Sequence, residues 1–105
     1  SPVPHKDRWQ ADQPRDFDDY AAWAEQVARA QGASFIDLTL RVAEAYREVG
    51  AAQVDRFFAD ARTHTNEAGA IFNATQVVEG LKRLQGQSGP SMGQPITAFL
   101  KPANP

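Results

Sequence analysis

The residues best suited to chemistry lie in one polar segment, Asp60-Ala61-Arg62-Thr63-His64-Thr65-Asn66-Glu67-Ala68-Gly69-Ala70. An imidazole can accept a proton near neutral pH, and a carboxylate on its far ring nitrogen would make His64 an effective general base. Asp60 is the nearest carboxylate that precedes it, and position 61 is alanine. From His64 alone, an ordinary surface histidine in a loop is the simpler interpretation.

Three further features could carry chemistry, and each has a plainer explanation. The segment Gly89-Pro90-Ser91-Met92-Gly93 fits the G-x-S-x-G pattern of a nucleophile elbow, but it lacks the preceding strand and following helix that the elbow requires. His5 with Asp7 could bind a metal or act as a base, although such a pair in a proline-rich loop is more typical of a solvated surface. Trp9 could stack on a sugar ring, and a packed loop tryptophan is equally expected.

Helical spacing of apolar residues predicts the elements around these groups. The first predicted helix begins at a capping pair, Asp16 with Asp19, and ends at Gly32. Its apolar positions are Tyr20, Trp23, Ala24, Val27 and Ala28. A second helix, ending at Gly50, is indicated by Val42, Ala45, Tyr46 and Val49. A shorter helix after it is indicated by Val54, Phe57 and Phe58.

The clearest helix directly follows His64, so the polar segment is a loop that leads into a helix N-terminus. Thr65 or Asn66 is the expected N-cap, and Gly86 lies just beyond the expected end. The apolar stripe of this helix is Ile71, Ala74, Val77, Val78, Leu81 and Leu84.

Only one strand is clearly predicted, Ser34-Phe35-Ile36-Asp37-Leu38, with Val3 at the end of a second, partial one. This is too few for a stable sheet, so the chain is interpreted as part of an α/β fold. The partner strands are expected before Ser1 in a parent chain or on a second chain. Residues 1–86 form the expected domain portion, and residues 87–105 form a tail rich in Gly and Pro.

Composition restricts the class of protein. The 105 residues carry a formal net charge of −2, with 42% hydrophobic and 23% charged residues, as in ordinary globular domains. Scattered basic residues predict no nucleic-acid partner, and the absence of a long apolar run predicts no transmembrane segment. The chain has no cysteine, which excludes disulfides and thiolate metal sites within it. No signal peptide is visible at Ser1-Pro2-Val3-Pro4.

The His64 segment resembles the last conserved block of SGNH (GDSL-type) hydrolases, in the rhamnogalacturonan acetylesterase-like branch. That block runs roughly Asp-Asp-Arg-Thr-His-Thr-Asn-x-x-Gly-Ala, and this chain matches it except at Ala61. Ser1-Pro2-Val3-Pro4 followed by Trp9, and the stretch from Tyr20 to Leu38, are also similar to that family. The resemblance covers most of residues 1–85. It implies the C-terminal part of a flavodoxin-like three-layer α/β/α sandwich, incomplete in this chain.

The resemblance also implies a function: serine-dependent removal of acetyl groups from a polysaccharide such as rhamnogalacturonan, without a metal or organic cofactor. His64 would be the base, and position 61 would hold the orienting aspartate, so Ala61 is either an engineered replacement or a natural loss. Asp60 is a possible substitute. The family's serine, in a Gly-Asp-Ser block, and its oxyanion-hole glycine and asparagine are not in this chain. An N-terminal half would supply them, in a secreted or periplasmic protein, and this chain by itself is expected to be inactive or impaired.

Two alternatives remain open at this point. The chain could be a catalytically inactive pseudoenzyme or a carbohydrate-binding chain, in which loss of the aspartate reflects loss of chemistry. It could also be an unrelated small helical domain. Restoring an aspartate at Ala61 would separate the first of these from an esterase, since an esterase should gain turnover unless Asp60 or a backbone carbonyl already holds the imidazole.

Overall fold

The computed structural model describes residues 1–85. Within them the chain forms a hairpin of β1 (Trp9–Gln10) and β2 (Gln13–Pro14), then α1 (Asp18–Ala30), α2 (Leu38–Val49), α3 (Ala51–Asp55) and α4 (Glu67–Gln85). The strands pair antiparallel, with Trp9 opposite Pro14 and Gln10 opposite Gln13. The domain is therefore mixed α/β and rich in helix, as expected at that level, while the described residues form no three-layer sandwich. None of their helices is long and apolar enough to cross a membrane.

The helix ends lie close to where the glycines predicted them. At the end of α1, Gly32 has φ 67°, the Ala33 N–H donates to Ala28 O at 2.8 Å, and the Gly32 N–H donates to Arg29 O at 3.3 Å. This pair of bonds is the Schellman motif, whose left-handed position favours glycine. Gly50, with φ 83° and ψ 157°, separates α2 from α3, and its N–H donates to Tyr46 O. Four helices are present as predicted, but α3 ends at Asp55, so Phe57 and Phe58, which were predicted to lie in it, follow it in a turn and a bridge.

The predicted start of α1 is wrong in its cap. No side chain caps the helix, and the N-cap position is Phe17, in the left-handed region at φ 60°. The Asp16 carboxylate is bound to His5 instead, so it does not serve the helix N-terminus. A contact from a residue 11 positions away has displaced the local capping pattern.

The predicted strand over residues 34–38 is also wrong for this chain. Residues 33–37 have no regular secondary structure, and Leu38 already begins α2. The Asp37 side chain caps that helix by accepting the Leu40 N–H at 2.9 Å. A strand needs a neighbour in a hydrogen-bonded ladder, and the adjacent segment provides only separate bonds: the Ser1 ammonium donates to Ile36 O at 3.2 Å and Thr39 Oγ1 donates to Pro2 O at 2.6 Å. Phe35, Ile36 and Leu38 are half-buried.

An aromatic core joins α2, α3 and α4. Tyr46 is fully buried, and its ring lies 5.8 Å from that of Phe72 and 6.5 Å from that of Phe57. The Tyr46 hydroxyl donates to Asn73 Oδ1 at 3.1 Å, so this buried polar group is satisfied. Burial raises the pKa of Tyr46. The buried cluster consists of Val42, Tyr46, Val54, Phe57 and Phe58.

The apolar face predicted for α1 is largely exposed. The exposed fractions of Tyr20, Trp23 and Val27 are 58%, 56% and 64%. The buried residue of α1 is Ala21, so the helix packs through a different, small-residue side. On α4, Ile71 and Val78 are exposed as well. Both helices form where the apolar pattern predicts them, but residues 1–85 leave these side chains substantially exposed.

Candidate active-site loop

The segment between α3 and α4 is a tight loop closed by backbone hydrogen bonds. The Ala59 N–H donates to His64 O at 2.7 Å, and the Asn66 N–H donates to Phe57 O at 2.9 Å. Phe58 and Thr65 form an isolated antiparallel bridge between these bonds. The loop is therefore a short hairpin with residues 60–64 at its tip.

The loop is fixed at its base by the start of α4. Asn66 is the N-cap, as predicted, because its Oδ1 accepts the Gly69 N–H at 3.1 Å. Its side-chain Nδ2 also donates to Arg56 O at 2.7 Å. Gly69 lies directly against Phe57, and a Cβ at this position would stand 2.1 Å from Phe57 O. Glycine is thus required here for close approach of two backbones.

Asp60 organises the tip of the loop. Its Oδ1 accepts three backbone N–H groups, from Arg62 at 2.9 Å, Thr63 at 2.7 Å and His64 at 3.1 Å. An aspartate that accepts N–H groups a few residues ahead is a recurrent way to hold a turn. One oxygen of the carboxylate is therefore committed to the backbone, and the other is free for a side chain.

The second oxygen of Asp60 holds the imidazole of His64. Oδ2 lies 2.5 Å from His64 Nδ1, and the His64 side chain is 80% exposed. The structure thus brings together two of the residues singled out from the sequence and places Asp60 at the far ring nitrogen. Ala61, where the sequence resemblance implied an aspartate, is exposed and lies in the same loop, and its methyl side chain cannot hydrogen-bond to the ring.

The charge of Asp60 is stabilised where it stands. Its pKa is held well below the usual range of an aspartate, first by the backbone N–H of Arg62 and then by the His64 side chain and the N–H groups of Thr63 and His64. Asp60 is therefore ionised across the neutral range, and an ionised carboxylate only accepts hydrogen bonds. Nδ1 of His64 must be the donor, which leaves Nε2 without a proton in the neutral ring.

The N-terminal segment anchors the loop from one side. The Lys6 N–H donates to Arg62 O at 3.3 Å, and the Asp7 carboxylate lies 3.5 Å from Arg62 Nε. The Lys6 ammonium pairs with Asp55 at 2.6 Å and stands 5.7 Å from the centre of the Phe58 ring. These contacts hold the loop against residues 6 and 7. The predicted pairing of His5 with Asp7 is wrong, because Asp7 pairs with Arg62.

The other predicted site residues are not assembled with His64. Trp9 is half-buried, packs against the aromatic core and donates its indole N–H to Lys6 O at 2.9 Å. Its role in the described structure is therefore packing, and the sugar-stacking role stays a prediction. Ser91 and the rest of the tail, residues 87–105, lie outside the described residues. Of the serines within 1–85, Ser1 bonds to residues near Thr39 and Ser34 is exposed, so neither is bound to the imidazole.

A second histidine–aspartate pair was missed in the sequence. His5 Nδ1 lies 2.6 Å from Asp16 Oδ2, and the His5 N–H donates to the same oxygen at 3.0 Å. The pair is largely enclosed, since the two side chains are only 20% and 15% exposed. No short-range spacing signals this contact, because the chain must turn through the β1–β2 hairpin to bring the residues together.

Neither pair forms part of a metal site in residues 1–85, where no three His, Cys, Asp or Glu side chains gather closely enough to hold an ion. Each histidine is held by one carboxylate, an arrangement suited to proton transfer.

Comparison with protein-family models, with curated proteins and with solved structures gives no match.

Proposed function

We propose that this chain supplies the catalytic base, His64, of a serine-dependent carbohydrate acetylesterase of the SGNH type. The observation that carries the proposal is the Asp60–His64 pair, an exposed imidazole held at its far nitrogen by an ionised carboxylate. In serine hydrolases the same relationship fixes the tautomer of the base and stabilises the imidazolium that forms when serine attacks. Asp60 takes the orienting role that the family gives to position 61.

The nucleophile of the proposed enzyme comes from an N-terminal half of the same hydrolase domain. Support for a missing part comes from the exposed apolar faces of two helices, represented by Trp23 on α1 and Ile71 on α4. Large contiguous apolar surfaces on a helix usually pack against another layer of structure. A flavodoxin-like sheet contributed by that half would cover them, and His64 would then face its serine at the carboxyl ends of the strands.

The proposed substrate is an acetylated polysaccharide of the rhamnogalacturonan type, in a secreted or periplasmic setting, and no metal or organic cofactor is involved. In this reaction His64 Nε2 takes the serine proton as the hydroxyl attacks the acetyl carbonyl. It then returns the proton to the sugar oxygen that leaves. Asp60 remains ionised and balances the charge of the imidazolium.

The test measures acetate release from acetylated rhamnogalacturonan by the complete protein, with this chain joined to or mixed with the half that carries the serine. His64→Ala should abolish the release, whereas His5→Ala, the matched change in the enclosed pair, should leave it unchanged if the variant folds. Equal activity of both variants would contradict the assignment of His64. A complete, folded protein that binds the polysaccharide but releases no acetate would support the pseudoenzyme alternative.

A further inference from the structure

The chain contains two histidines, and the structure gives them the same partner chemistry in opposite surroundings. In each case Nδ1 faces an aspartate oxygen, at 2.5 Å for His64 and at 2.6 Å for His5. The His64 side chain is 80% exposed and that of His5 is 20% exposed. The two pairs therefore differ mainly in whether a molecule from solvent can reach the other ring nitrogen.

Reactivity of an imidazole depends on which nitrogen carries the lone pair. The Oδ1 atom of Asp60 is saturated by three backbone N–H groups, so the carboxylate is fixed in place and only its Oδ2 faces the ring. Because that oxygen accepts, the ring proton resides on Nδ1 and the lone pair resides on Nε2. In described residues 1–85 no protein group is hydrogen-bonded to Nε2, so the nitrogen is open to an electrophile.

We propose that His64 is itself a nucleophile toward activated esters, so that this chain hydrolyses aryl acetates without a serine. Nε2 attacks the carbonyl carbon, a C–N bond forms, and the bond between the carbonyl carbon and the aryl oxygen breaks as the phenolate leaves. Water then attacks the acetyl-imidazolium, the C–N bond breaks with its electron pair returning to Nε2, acetate departs, and the two protons of the water are released to solvent. No oxidant, reductant or further reactant is required.

The substrate class is limited by the leaving group. A phenolate is a weak base and is expelled readily by an attacking imidazole, whereas the alkoxide of a sugar is a strong base and needs a proton donor and an oxyanion hole. Within residues 1–85, the side chain that is hydrogen-bonded to the His64 ring is Asp60, which accepts and cannot act as a proton donor while it is ionised. The proposed activity therefore applies to aryl esters, does not extend to acetylated sugars, and does not depend on the esterase function proposed above.

Asp60 is a positioning residue for this reaction. Its carboxylate sets the tautomer and balances the positive charge of the acetyl-imidazolium. Asp60→Asn separates that role from a structural one, because the amide oxygen can still accept the N–H groups of Arg62 and Thr63 while the negative charge is lost. His5→Gln is the matched control, since it removes the enclosed imidazole and leaves His64 in place.

The experiment uses the full 105-residue chain with p-nitrophenyl acetate in excess, and follows p-nitrophenolate beyond one equivalent. The expected result is steady turnover that His64→Gln reduces to the buffer rate, that Asp60→Asn reduces severalfold, and that His5→Gln and Ser91→Ala leave unchanged. A burst of one equivalent or less without turnover, or turnover lost in Ser91→Ala, would overturn the proposal.

Two further measurements keep the inference independent of small differences in rate. Ring nitrogen NMR shifts should assign the proton of His64 to Nδ1 in the unsubstituted chain, and this preference should weaken in Asp60→Asn while the backbone amides of the loop keep their shifts. Diethyl pyrocarbonate should modify His64 much faster than His5. A proton on Nε2, or equal modification of the two histidines, would contradict the geometry from which the activity is inferred.

Discussion

The carboxylate of Asp60 is divided between the backbone and the ring of His64, with Oδ1 holding three N–H groups and Oδ2 lying 2.5 Å from Nδ1. Asp60→Ala should therefore loosen residues 60–64 while the aromatic core stays intact. Amide hydrogen exchange should accelerate at Thr63 and remain slow at Tyr46. Asp18→Ala, which removes an exposed aspartate on α1, is the control and should not affect the loop. Unchanged exchange at Thr63 in Asp60→Ala would show that the backbone bonds at Ala59 and Asn66 suffice.

The proposed complete esterase would show whether position 60 or position 61 orients the ring of His64. An imidazole with no orienting carboxylate would gain roughly 10⁴ in kcat when one is supplied. Because Asp60 already occupies Nδ1, Ala61→Asp should gain far less than that and should crowd a second negative charge against the first. Asp60→Ala should lower kcat sharply, and Asp60→Ala combined with Ala61→Asp should recover part of the loss. A large gain from Ala61→Asp alone would return the orienting role to position 61.

Acid should release the loop only well below the ordinary range of aspartate. The folded pKa of Asp60 is lower than its unfolded value, so the stabilisation from its charge is complete above the unfolded value of ~3.9. It is lost as the pH falls through the lower, folded value. The amide shift of Thr63, followed from neutral to strongly acid pH, should change with a midpoint below ~3.9. In Asp60→Asn the same titration should show no change of the Thr63 shift in this pH range. A pH midpoint at or above ~3.9 in the unsubstituted chain would contradict the hydrogen bonds assigned to Asp60.

The local features of this chain were predictable, and the tertiary ones were not. The end of α1 follows from Gly32 and the N-cap of α4 from Asn66, because each depends on residues within one helical turn. Asp60 could be named as a candidate, but its reach to His64 depends on how the loop backbone turns. The His5 partner, Asp16, lies across a hairpin. The strand predicted near Ile36 is absent, because a strand forms only beside a hydrogen-bonded neighbouring strand, and the local spacing of apolar residues does not show whether one is there.

Gly69 should be the least replaceable glycine of α4. A Cβ there would lie 2.1 Å from Phe57 O and 2.9 Å from Phe57 Cβ, and backbone atoms cannot move aside cheaply. Gly69→Ala should reduce the free energy of unfolding by about 1–3 kcal/mol or more, despite the better helix propensity of alanine. Gly80→Ala is the comparison variant, because its Cβ would meet the Cγ2 methyl of Ile36 at 2.7 Å, which is a side-chain contact and not a backbone one. A loss for Gly80→Ala as large as that for Gly69→Ala would contradict this account.

The exposed face of α1 should matter for association and not for the folding of this chain. Phe57→Ala removes a ring from the buried cluster and should lower the free energy of unfolding by about 3–5 kcal/mol. Trp23→Ser, at a side chain that is 56% exposed, should change it by about 0.5 kcal/mol or less. Both changes in the free energy of unfolding should be measured by urea unfolding followed by far-ultraviolet circular dichroism. This signal reports loss of helix and does not depend on the tryptophan that is removed. If the proposed N-terminal half packs on this face, Trp23→Ser should weaken its binding to this chain, measured by native mass spectrometry of the two mixed polypeptides. A large loss of stability for Trp23→Ser in this chain alone would mean that the ring is already packed within it. A small loss of stability together with unchanged binding of the proposed N-terminal half would mean that this half binds to another surface.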